Sequence, residues 1–475
     1  IGYIDDSLLI DIDKQELETA IHKATHLFDS LGLTIHPSKS ILQPVRRIEF
    51  LGFILDSEAM TVGLTLPKRK KILRLAKALI HHDRCSIQQL AEFIGNLVAA
   101  EPSIEDAPLW YKNLEIDRNA ALKQSRGDYS AITQLSTESR TDVQWWIDNI
   151  MTIERVVRSE PPTVFTESDA SLDGWGAAFQ GQSTGGDWTD QESEWHINVL
   201  ELTAALLTLQ SYCANMTNEH IRLKMDNTTA VACINKRGST SPKLFALTRE
   251  IFTWARERHI LLSAEYLPGH LNVVADRESR TRNLDMEWMV KPSIFQTLCR
   301  IFGTPEVDLF ATRINHQVPS YVAWRPDPQA IHIDAFSFDW RDKFLYAFPP
   351  FSVITRLLRK QEEEGANLVC VLPVWPTRPW FGQVLRRCVG MPILLPRDCL
   401  RLPQDLRAQH RLHRTMRFGV FTLLGRDMSL RDSLRRFQIS CSSHGDRVRK
   451  SSTMCTCKSG LSIALKNRFL CWHQA

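Results

Sequence analysis

The sequence predicts a multidomain protein that combines α/β and α+β folds. Its 475 residues suffice for roughly three domains of about 150 residues each. Strand and helix patterns alternate over residues 163–283 and again over 292–402, as in α/β domains. A mostly helical, charged stretch precedes them and ends before Pro161 and Pro162, because consecutive prolines force an extended backbone. We therefore expect domains at residues 1–62, 63–160, 161–283 and 290–402, followed by a basic tail at 403–475.

The composition is that of a globular protein, with 43% hydrophobic and 24% charged residues. It excludes collagen-like, wholly disordered and disulfide-scaffold proteins. The net charge of +4 is unevenly distributed. Residues 397–475 contain 16 Lys/Arg and 5 Asp/Glu, a net +11, so the remainder carries −7. This asymmetry indicates a basic tail on a more acidic body.

The sequence contains no secretory leader and no apolar run near the ~18 residues of a membrane span. We therefore expect an intracellular protein, in the cytoplasm or nucleus, with no membrane partner. The 11 cysteines show no paired spacing and are interpreted as free thiols. The chain starts at Ile1 rather than Met, so we expect its N-terminus to be a cut. The oligomeric state is not indicated.

Two adjacent acids lie near the start of the chain. Apolar residues flank Asp5 and Asp6 in Tyr3-Ile4-Asp5-Asp6 and the following Leu8-Leu9-Ile10, which predicts a hairpin with both acids at its tip. Neighbouring carboxylates that both stay ionised need a counter-charge, usually Mg²⁺. Further along come Lys39, in Pro37-Ser38-Lys39-Ser40, and a glycine-containing strand, Phe50-Leu51-Gly52-Phe53-Ile54.

In this order the segments resemble the C-terminal half of a reverse transcriptase palm, followed by a helical thumb and connection. The resemblance implies that Asp5 and Asp6 are two of three metal-binding carboxylates and that Lys39 contacts nucleic acid. The third acid and the fingers lie upstream in the family. We therefore expect RNA-directed DNA polymerisation only when those parts are present, and none from this chain alone.

A basic helix is predicted after Pro67. Apolar residues at helical spacing form one face, and basic residues crowd the other sides. Plain solvation of the basic face is one interpretation. The flanking motifs favour phosphate contact by Lys68, Arg69 and Lys71. A second helix is predicted from Ser86, with Gln89 completing a capping box.

Four acids are predicted at one edge of the α/β segment. Asp169 and Asp226 end predicted strands, Glu201 lies inside a helix, and Asp276 lies at a helix start. Strand ends and adjoining helix starts meet at one edge of an open sheet. Phosphodiester hydrolysis by two Mg²⁺ ions about 4 Å apart needs several such oxygen ligands. Four ordinary surface acids are the alternative interpretation.

The set resembles ribonuclease H, which has Asp, Glu, Asp and Asp in this order on a mixed five-stranded sheet. The likeness covers residues 163–280 and is most specific from Leu267 to Asp276. It implies that the four acids hold Mg²⁺ (or Mn²⁺) and hydrolyse the RNA strand of an RNA–DNA hybrid. We assign Asn227 and His270 to nucleic-acid contact. Many ribonucleases H have a histidine where this chain has Tyr266, and His270 is a displaced candidate for its role. We expect Glu278 to face solvent.

A second, Rossmann-like α/β domain is predicted after Pro292. Strand, Phe348-Pro349-Pro350-Phe351, helix and strand resemble the catalytic region of adenine-N6 DNA methyltransferases. Active members have Asp or Asn where this chain has Phe348, so we expect an inactive methyltransferase-like fold. The amino-acid sequence of the ribonuclease H segment, together with this domain, most resembles that of DIRS-type retrotransposons.

The leading interpretation is therefore a retrotransposon reverse transcriptase/ribonuclease H fragment that binds RNA–DNA hybrid and DNA. A catalytically decayed, nucleic-acid-binding remnant of such an element is one alternative, and a DNA adenine methyltransferase is another. The Arg-rich tail is open to two interpretations, a nucleic-acid contact or decayed coding sequence, and either allows it to be disordered.

Overall fold

The computed structural model describes residues 2–3, 6–81, 84–157, 161–281, 287–403, 410, 415–425, 455–457, 461–466 and 469–474. The chain divides into two compact units. Unit 1 comprises Ile1–Pro162 and Ala232–Glu257, and unit 2 comprises Thr163–Val231 and Arg258–Ala475. Over these described ranges, no helix has the length and apolar character needed to cross a bilayer.

Unit 1 begins with a short antiparallel pair, β1 (Gly2–Tyr3) and β2 (Asp6–Ser7), in which Tyr3 faces Asp6. Helix α1 (Lys14–Ser30) follows and is capped by Asp13, whose carboxylate accepts hydrogen bonds from the backbone N–H groups of Gln15 and Glu16. Such a cap satisfies N–H groups that the first helical turn leaves without partners.

A four-stranded antiparallel sheet comes next, in the order β3 (Arg47–Phe50), β4 (Phe53–Asp56), β5 (Thr61–Leu64) and β8 (Arg155–Val156). The turn between β3 and β4 consists of Leu51 and Gly52, both at positive φ, as tight hairpins require. Lys68 donates a 2.8 Å hydrogen bond to the Leu51 carbonyl, and its Nζ lies 4.5 Å from the centre of the Phe53 ring. Lys68 therefore braces this turn.

The rest of unit 1 is mostly helical. Its elements are α2 (Leu66–His81), β6 (Arg84–Ser86), α3 (Ile87–Val98), α4 (Lys112–Gln124), β7 (Ile132–Gln134) and α5 (Thr137–Asn149). The predicted capping box of Ser86 and Gln89 is confirmed. Ile72, Phe93 and Trp146 lie in the shared core of these helices, each at most 3% exposed.

Unit 2 contains a mixed five-stranded sheet, as the sequence predicts. Its order is β11 (Gln182–Asp187), β10 (Gly174–Phe179), β9 (Val164–Ala170), β12 (His220–Met225) and β13 (Leu261–Tyr266). Strand β10 pairs antiparallel with both β11 and β9, whereas β9, β12 and β13 run parallel to one another. Residues that end β9 and begin the loop after β12 therefore lie at the same sheet edge.

The helices α6 (Asp190–Ser193), α7 (Ile197–Tyr212) and α10 (Val273–Arg280) belong to unit 2. Helix α8 (Thr228–Asn235) includes residues of both units, and α9 (Pro242–Arg256) belongs to unit 1. Helix α10 packs directly on the backbone of β10. A Cβ atom added to Gly176 would lie only 2.0 Å from the Ala275 carbonyl oxygen and 2.5 Å from the Ser279 nitrogen. Glycine at this position is thus a condition for the close approach of α10.

The remainder of unit 2 is a second α/β region. Its first elements along the chain are β14 (Met289–Val290), α11 (Pro292–Phe302), β15 (Val307–Asp308), β16 (Val322–Ala323), β17 (His332–Ile333), β18 (Phe344–Ala347), α12 (Ile354–Glu364) and β19 (Asn367–Pro373). They are followed by α13 (Pro379–Arg387), β20 (Ile393–Leu394), β21 (Leu400–Arg401), β22 (Phe418–Leu423), β23 (Cys455–Cys457), β24 (Leu461–Lys466) and β25 (Phe469–Gln474).

The large sheet of this region has the order β15-β18-β19-β22-β20-β25-β24-β23. Strands β15, β18 and β19 are parallel, and β22 pairs antiparallel with both β19 and β20. Helices cover both faces: Leu357 of α12 packs in the core on one side, and Phe295 of α11 in the core on the other. The region is mixed α/β, and its Rossmann-like character remains a prediction.

The sheet extends beyond Leu402, where the sequence predicted the start of a basic tail. All six residues of β22 are buried, from Phe418 to Leu423. The burial of every residue in this strand, Thr422 included, reflects cover on both sheet faces. The sequence prediction assigned this strand to the basic tail because arginines are frequent on both sides of it.

Candidate metal centre

The predicted acids Asp169, Glu201 and Asp226 meet at one edge of the five-stranded sheet. Asp169 lies near the end of β9, Glu201 in the second turn of α7, and Asp226 directly after β12. One carboxylate oxygen from each residue can be chosen so that all three lie within 4.8 Å of one another. Three hard oxygen donors at this spacing suit a divalent cation such as Mg²⁺.

Asp169 is held in place by residues near and within α10. It is 3% exposed, and its Oδ2 accepts a 2.7 Å hydrogen bond from the Ser279 hydroxyl. Asn272, which is fully buried, donates a 3.0 Å bond to the Ser168 carbonyl and lies 3.4 Å from Oδ1 of Asp169. Burial raises the pKa of Asp169 to about 6, opposed by the Ser279 bond and reinforced by the charges of Asp226 and Asp276.

Among the three converging acids, Glu201 has the pKa that is raised furthest from its ordinary value. It is 5% exposed, and its Oε2 has no hydrogen-bond partner among the described residues. Burial, followed by the charges of Asp169 and Asp226, raises the pKa of Glu201 to about 9. An unpartnered buried carboxylate oxygen is costly unless a proton or a cation compensates it. This oxygen is therefore available to a metal ion.

Asp226 is half-buried, and burial together with the charge of Asp276 raises its pKa. The loop after β13 closes on it: a Cβ atom on Gly269 would lie 3.2 Å from Oδ2 of Asp226. The next residue along the chain, Asn227, is tied to the protein. Its Oδ1 accepts a 3.0 Å bond from the Ala230 N–H, and its Nδ2 donates a 3.1 Å bond to Asn198.

Asp276 stands slightly apart from the other three acids. Its Oδ1 pairs with Arg280 at 2.6 Å, one helical turn along α10. Its charge nonetheless contributes to the raised pKa of both Asp169 and Asp226, so it lies near the same site. Asp276 is 40% exposed, which leaves it accessible to a second cation or to solvent.

The residues at the predicted rim are exposed. His270 lies in the loop after β13, and Tyr266, at the position where many ribonucleases H have histidine, is 50% exposed. Neither makes a described contact with the three central acids. Their assignment to nucleic acid stays a prediction.

The predicted polymerase-like residues are in unit 1. Asp5 lies outside the described residues, and Asp6 is exposed in β2. Lys39 and Lys71 are exposed, which is compatible with phosphate contact. Lys68 is engaged with the β3–β4 turn, as described above.

Arg69 corrects the predicted basic face of α2. The sequence placed it on a solvated side, but it is 6% exposed and part of the core. Its guanidinium donates to the carbonyls of Leu64 and Ile150 and pairs with Glu154 at 3.1 Å. These partners satisfy its charge inside the protein, so Arg69 is not available to nucleic acid.

Glu278 is a second correction. It was predicted to face solvent, but its side chain is 13% exposed and pairs with Arg325 at 3.1 Å. The prediction was wrong because Arg325 lies 47 residues further along the chain, in a different sheet region. Ser279 and Asn272 were also missed as supports of Asp169. Asn272 belongs to the segment from Leu267 to Asp276 that most resembles ribonuclease H, and Ser279 follows it closely. Their closeness in sequence to Asp276 could have indicated that they support the site.

Comparisons with known proteins give structural matches alone. No family model matches the sequence, and no curated protein matches it. A foamy viral protease–reverse transcriptase bound to double-stranded DNA matches with 13% identity and a TM-score of 0.28, covering 54% of this chain and 44% of the viral one. The chain thus spans less than half the length of that protein.

Two ribonucleases H1 match a shorter part. The enzyme of Halobacterium salinarum NRC-1 has 14% identity and a TM-score of 0.20, and LC11-RNase H1 in complex with RNA/DNA hybrid has 20% and 0.21. Each match covers 24% of this chain and 90% of the other protein. Likeness at this level carries no functional weight, so the evidence for function lies in the arrangement of the acids.

Proposed function

We propose that unit 2 hydrolyses the RNA strand of RNA–DNA hybrids with Mg²⁺ or Mn²⁺. The observation that supports this most is the convergence of Asp169, Glu201 and Asp226, whose carboxylate oxygens lie within 4.8 Å of one another on a mixed five-stranded sheet. The buried Oε2 of Glu201, which lacks a partner among the described residues, fits a metal ligand better than a structural acid.

Each acid has a distinct supporting environment. Asp169 is oriented by Ser279, Glu201 is fixed by the buried helix α7, and Asp226 is fixed by the end of β12. Bound Mg²⁺ would activate a water molecule and stabilise the leaving oxygen. Binding of the cation requires the proton of Glu201 to leave, so that metal affinity should increase with pH.

For the nucleic acid we propose contacts at the rim of this site, by His270 and Asn227. A hybrid differs from DNA by its 2′-hydroxyls and its A-like shape, and these can be recognised without contacts to base edges. Lys39 and Lys71 of unit 1 are further candidates for backbone contact, because they are exposed and basic.

The test is cleavage of a hybrid with a labelled RNA strand by the full chain in Mg²⁺. Asp226→Asn should lower the rate about 100-fold or more, because the amide keeps the shape but loses the charge of a ligand. Glu265→Gln is a matched control, since Glu265 is an exposed acid on the adjacent strand β13. Undiminished cleavage by Asp226→Asn would refute the site.

A catalytically decayed, nucleic-acid-binding protein is the second candidate. Its support is the exposed basic residues, which do not depend on the acids. Hybrid binding without metal-dependent cleavage by the unmodified chain would favour it. We further propose that polymerisation requires the family's upstream palm and fingers, so that primer extension by this chain would contradict the partial-polymerase assignment. The DIRS-type origin and the methyltransferase-like assignment rest on sequence motifs.

A further inference from the structure

The edge strand β11 of the five-stranded sheet is covered by a loop segment of the second α/β region. Arg313 donates a 3.3 Å hydrogen bond to the carbonyl of Asp187, and Arg325 donates to the carbonyl of Gly185. An exposed strand edge offers unpaired carbonyl groups to other chains. Here two arginines of the same unit satisfy carbonyls at the end of this strand.

One of these arginines reaches helix α10 as well. Arg325 pairs with Glu278 at 3.1 Å, and the two side chains are 17% and 13% exposed. The Arg325 guanidinium also lies 4.9 Å from the centre of the Trp324 ring. The other oxygen of Glu278 accepts a 3.2 Å bond from Ser183 on β11. Removal of Arg325 would leave Glu278 largely buried with weaker compensation of its charge.

The second arginine, Arg313, anchors the loop segment to α6. Arg313 forms two bonds of 3.0 and 2.9 Å to the carboxylate of Glu192, again with both side chains almost buried. Glu192 belongs to α6, where it also completes the capping box with Thr189. Arg313 and Arg325 therefore attach the same loop segment, and the ion pair with α10 described above is made by Arg325.

Helix α10 links Glu278 to the metal centre within three residues. Asp276 precedes Glu278 by two positions, and Ser279 follows it and donates to Asp169. The Ser279 carbonyl in turn accepts a 2.7 Å bond from the hydroxyl of Ser171, the residue directly after β9. A change in the position of α10 would thus move Asp276 and loosen the support of Asp169 together.

We propose that Arg325 is a positioning residue of the metal centre, and that the second α/β region serves the hydrolase by fixing α10 through it. The inference rests on the proposed function of the acids. In this structural role the methyltransferase-like region does not need to bind a methyl donor. It also does not need a hydrogen-bond acceptor for a target amine at the position of Phe348.

The experiment compares three variants of the full chain. Arg325→Gln removes the contact to α10. Arg313→Gln removes the other anchor, and Arg277→Gln removes a partner of Glu278 that is 65% exposed and belongs to α10 itself. Each is measured by hydrogen exchange of residues 273–280, by calorimetric binding of Mn²⁺ and by the Mg²⁺ dependence of hybrid cleavage.

We expect Arg325→Gln to speed exchange in α10 and to raise the half-saturating Mg²⁺ and the Mn²⁺ dissociation constant about 3- to 10-fold, with the KM for hybrid unchanged. Arg277→Gln should stay within about 2-fold of the unmodified chain, because Arg277 is 65% exposed. Arg313→Gln should affect exchange in α10 and metal binding less than Arg325→Gln does, because Arg313 pairs with Glu192 of α6. If Arg325→Gln does not fold, Glu278→Gln tests the same contact from the other side.

Equal effects of Arg325→Gln and Arg313→Gln would overturn the inference, because they would indicate that both arginines only dock the loop segment. Unchanged exchange in α10 and unchanged metal binding in Arg325→Gln would overturn it as well. Failure of the proposed function is distinguishable. The unmodified chain would then not cleave hybrid, while exchange in α10 would still respond to Arg325.

Discussion

The Ser279 hydroxyl donates a 2.7 Å hydrogen bond to Oδ2 of Asp169, a residue 110 positions earlier in the chain. Both partners are almost fully buried, at 1% and 3% exposure. This bond joins the helix that contains Asp276 to the strand that contains Asp169. It leaves Oδ1 of Asp169 as the oxygen less committed to the protein, since that atom has one long contact of 3.4 Å from Asn272.

Replacement of Ser279 by alanine should therefore weaken the site without unfolding it. Partners that orient metal-binding carboxylates typically contribute 10- to 100-fold to affinity or activity. We expect Ser279→Ala to lower hybrid cleavage by about 10-fold or more and to raise the Mg²⁺ requirement. Thr281→Ala is the control, because the Thr281 hydroxyl bonds to its own helix at Arg277. Equal rates for the two variants would show that the bond is not needed.

Glu201 should make the metal-free protein less stable as the pH rises. Its pKa is raised from 4.5 to about 9, so the folded state keeps a proton that the unfolded state loses between these values. Stability from this group is complete below pH 4.5 and declines up to about pH 9. Glu201→Gln should remove this decline and stabilise the metal-free chain by at least about 1 kcal/mol at pH 8.

The measurement is thermal unfolding at pH 6, 7 and 8, with and without Mg²⁺. Glu201→Gln should also lose most of the stabilisation that Mg²⁺ gives the unmodified protein, because a ligand that binds the folded state raises its stability. Glu265→Gln should behave like the unmodified chain in both respects. A lower unfolding temperature of metal-free Glu201→Gln at pH 8 would contradict the assignment.

Arg280 should compete with cations for Asp276. The pair is 2.6 Å long, with exposures of 65% and 40%, so that its strength is that of a surface pair, below about 1 kcal/mol. Arg280→Gln should accordingly lower the half-saturating Mg²⁺ by about 2- to 5-fold. Arg277→Gln removes an equally exposed arginine that is paired with Glu278 instead. A raised Mg²⁺ requirement for Arg280→Gln would indicate that Arg280 supports the site.

Arg69 should matter for stability rather than for nucleic-acid binding. Arg69→Met leaves the carbonyls of Leu64 and Ile150 without their buried donor, and we expect a loss of about 2 kcal/mol or more. Lys71→Met, two residues along the same helix and exposed, should change stability by less than about 0.5 kcal/mol. Urea unfolding and hybrid affinity of both variants distinguish the roles. Weaker binding by Arg69→Met at unchanged stability would restore the original prediction.

The five strands could be predicted from the sequence because they depend on local patterns. The convergence of three acids followed from their positions at strand ends and near a helix start of one sheet. Alternation along β12 and the acid after it are visible within seven residues, from His220 to Asp226. Likewise, the capping box of Ser86 and Gln89 depends on residues three apart.

Contacts between distant segments could not be predicted in the same way. Arg69 and Lys71 look alike in a basic stretch, and only the packing of α2 against Ile150 and Glu154 makes one of them buried. Glu278 looked like a solvated helix residue, because no local signal indicates Arg325. The strand β22 was assigned to a tail since its central place in a sheet depends on partners about 25 and 50 residues away, β20 and β19.

The position of β22 has a consequence for synthesis on the ribosome. It pairs with β19 on one side and β20 on the other, yet both of those strands are made before it. Until residue 423 has left the exit tunnel, β19 keeps an open apolar edge of six residues, from Leu368 to Pro373. During synthesis, the second α/β region therefore passes through a stage in which β19 is unpaired on one side. At this stage chaperone binding or misassembly with another chain competes with folding.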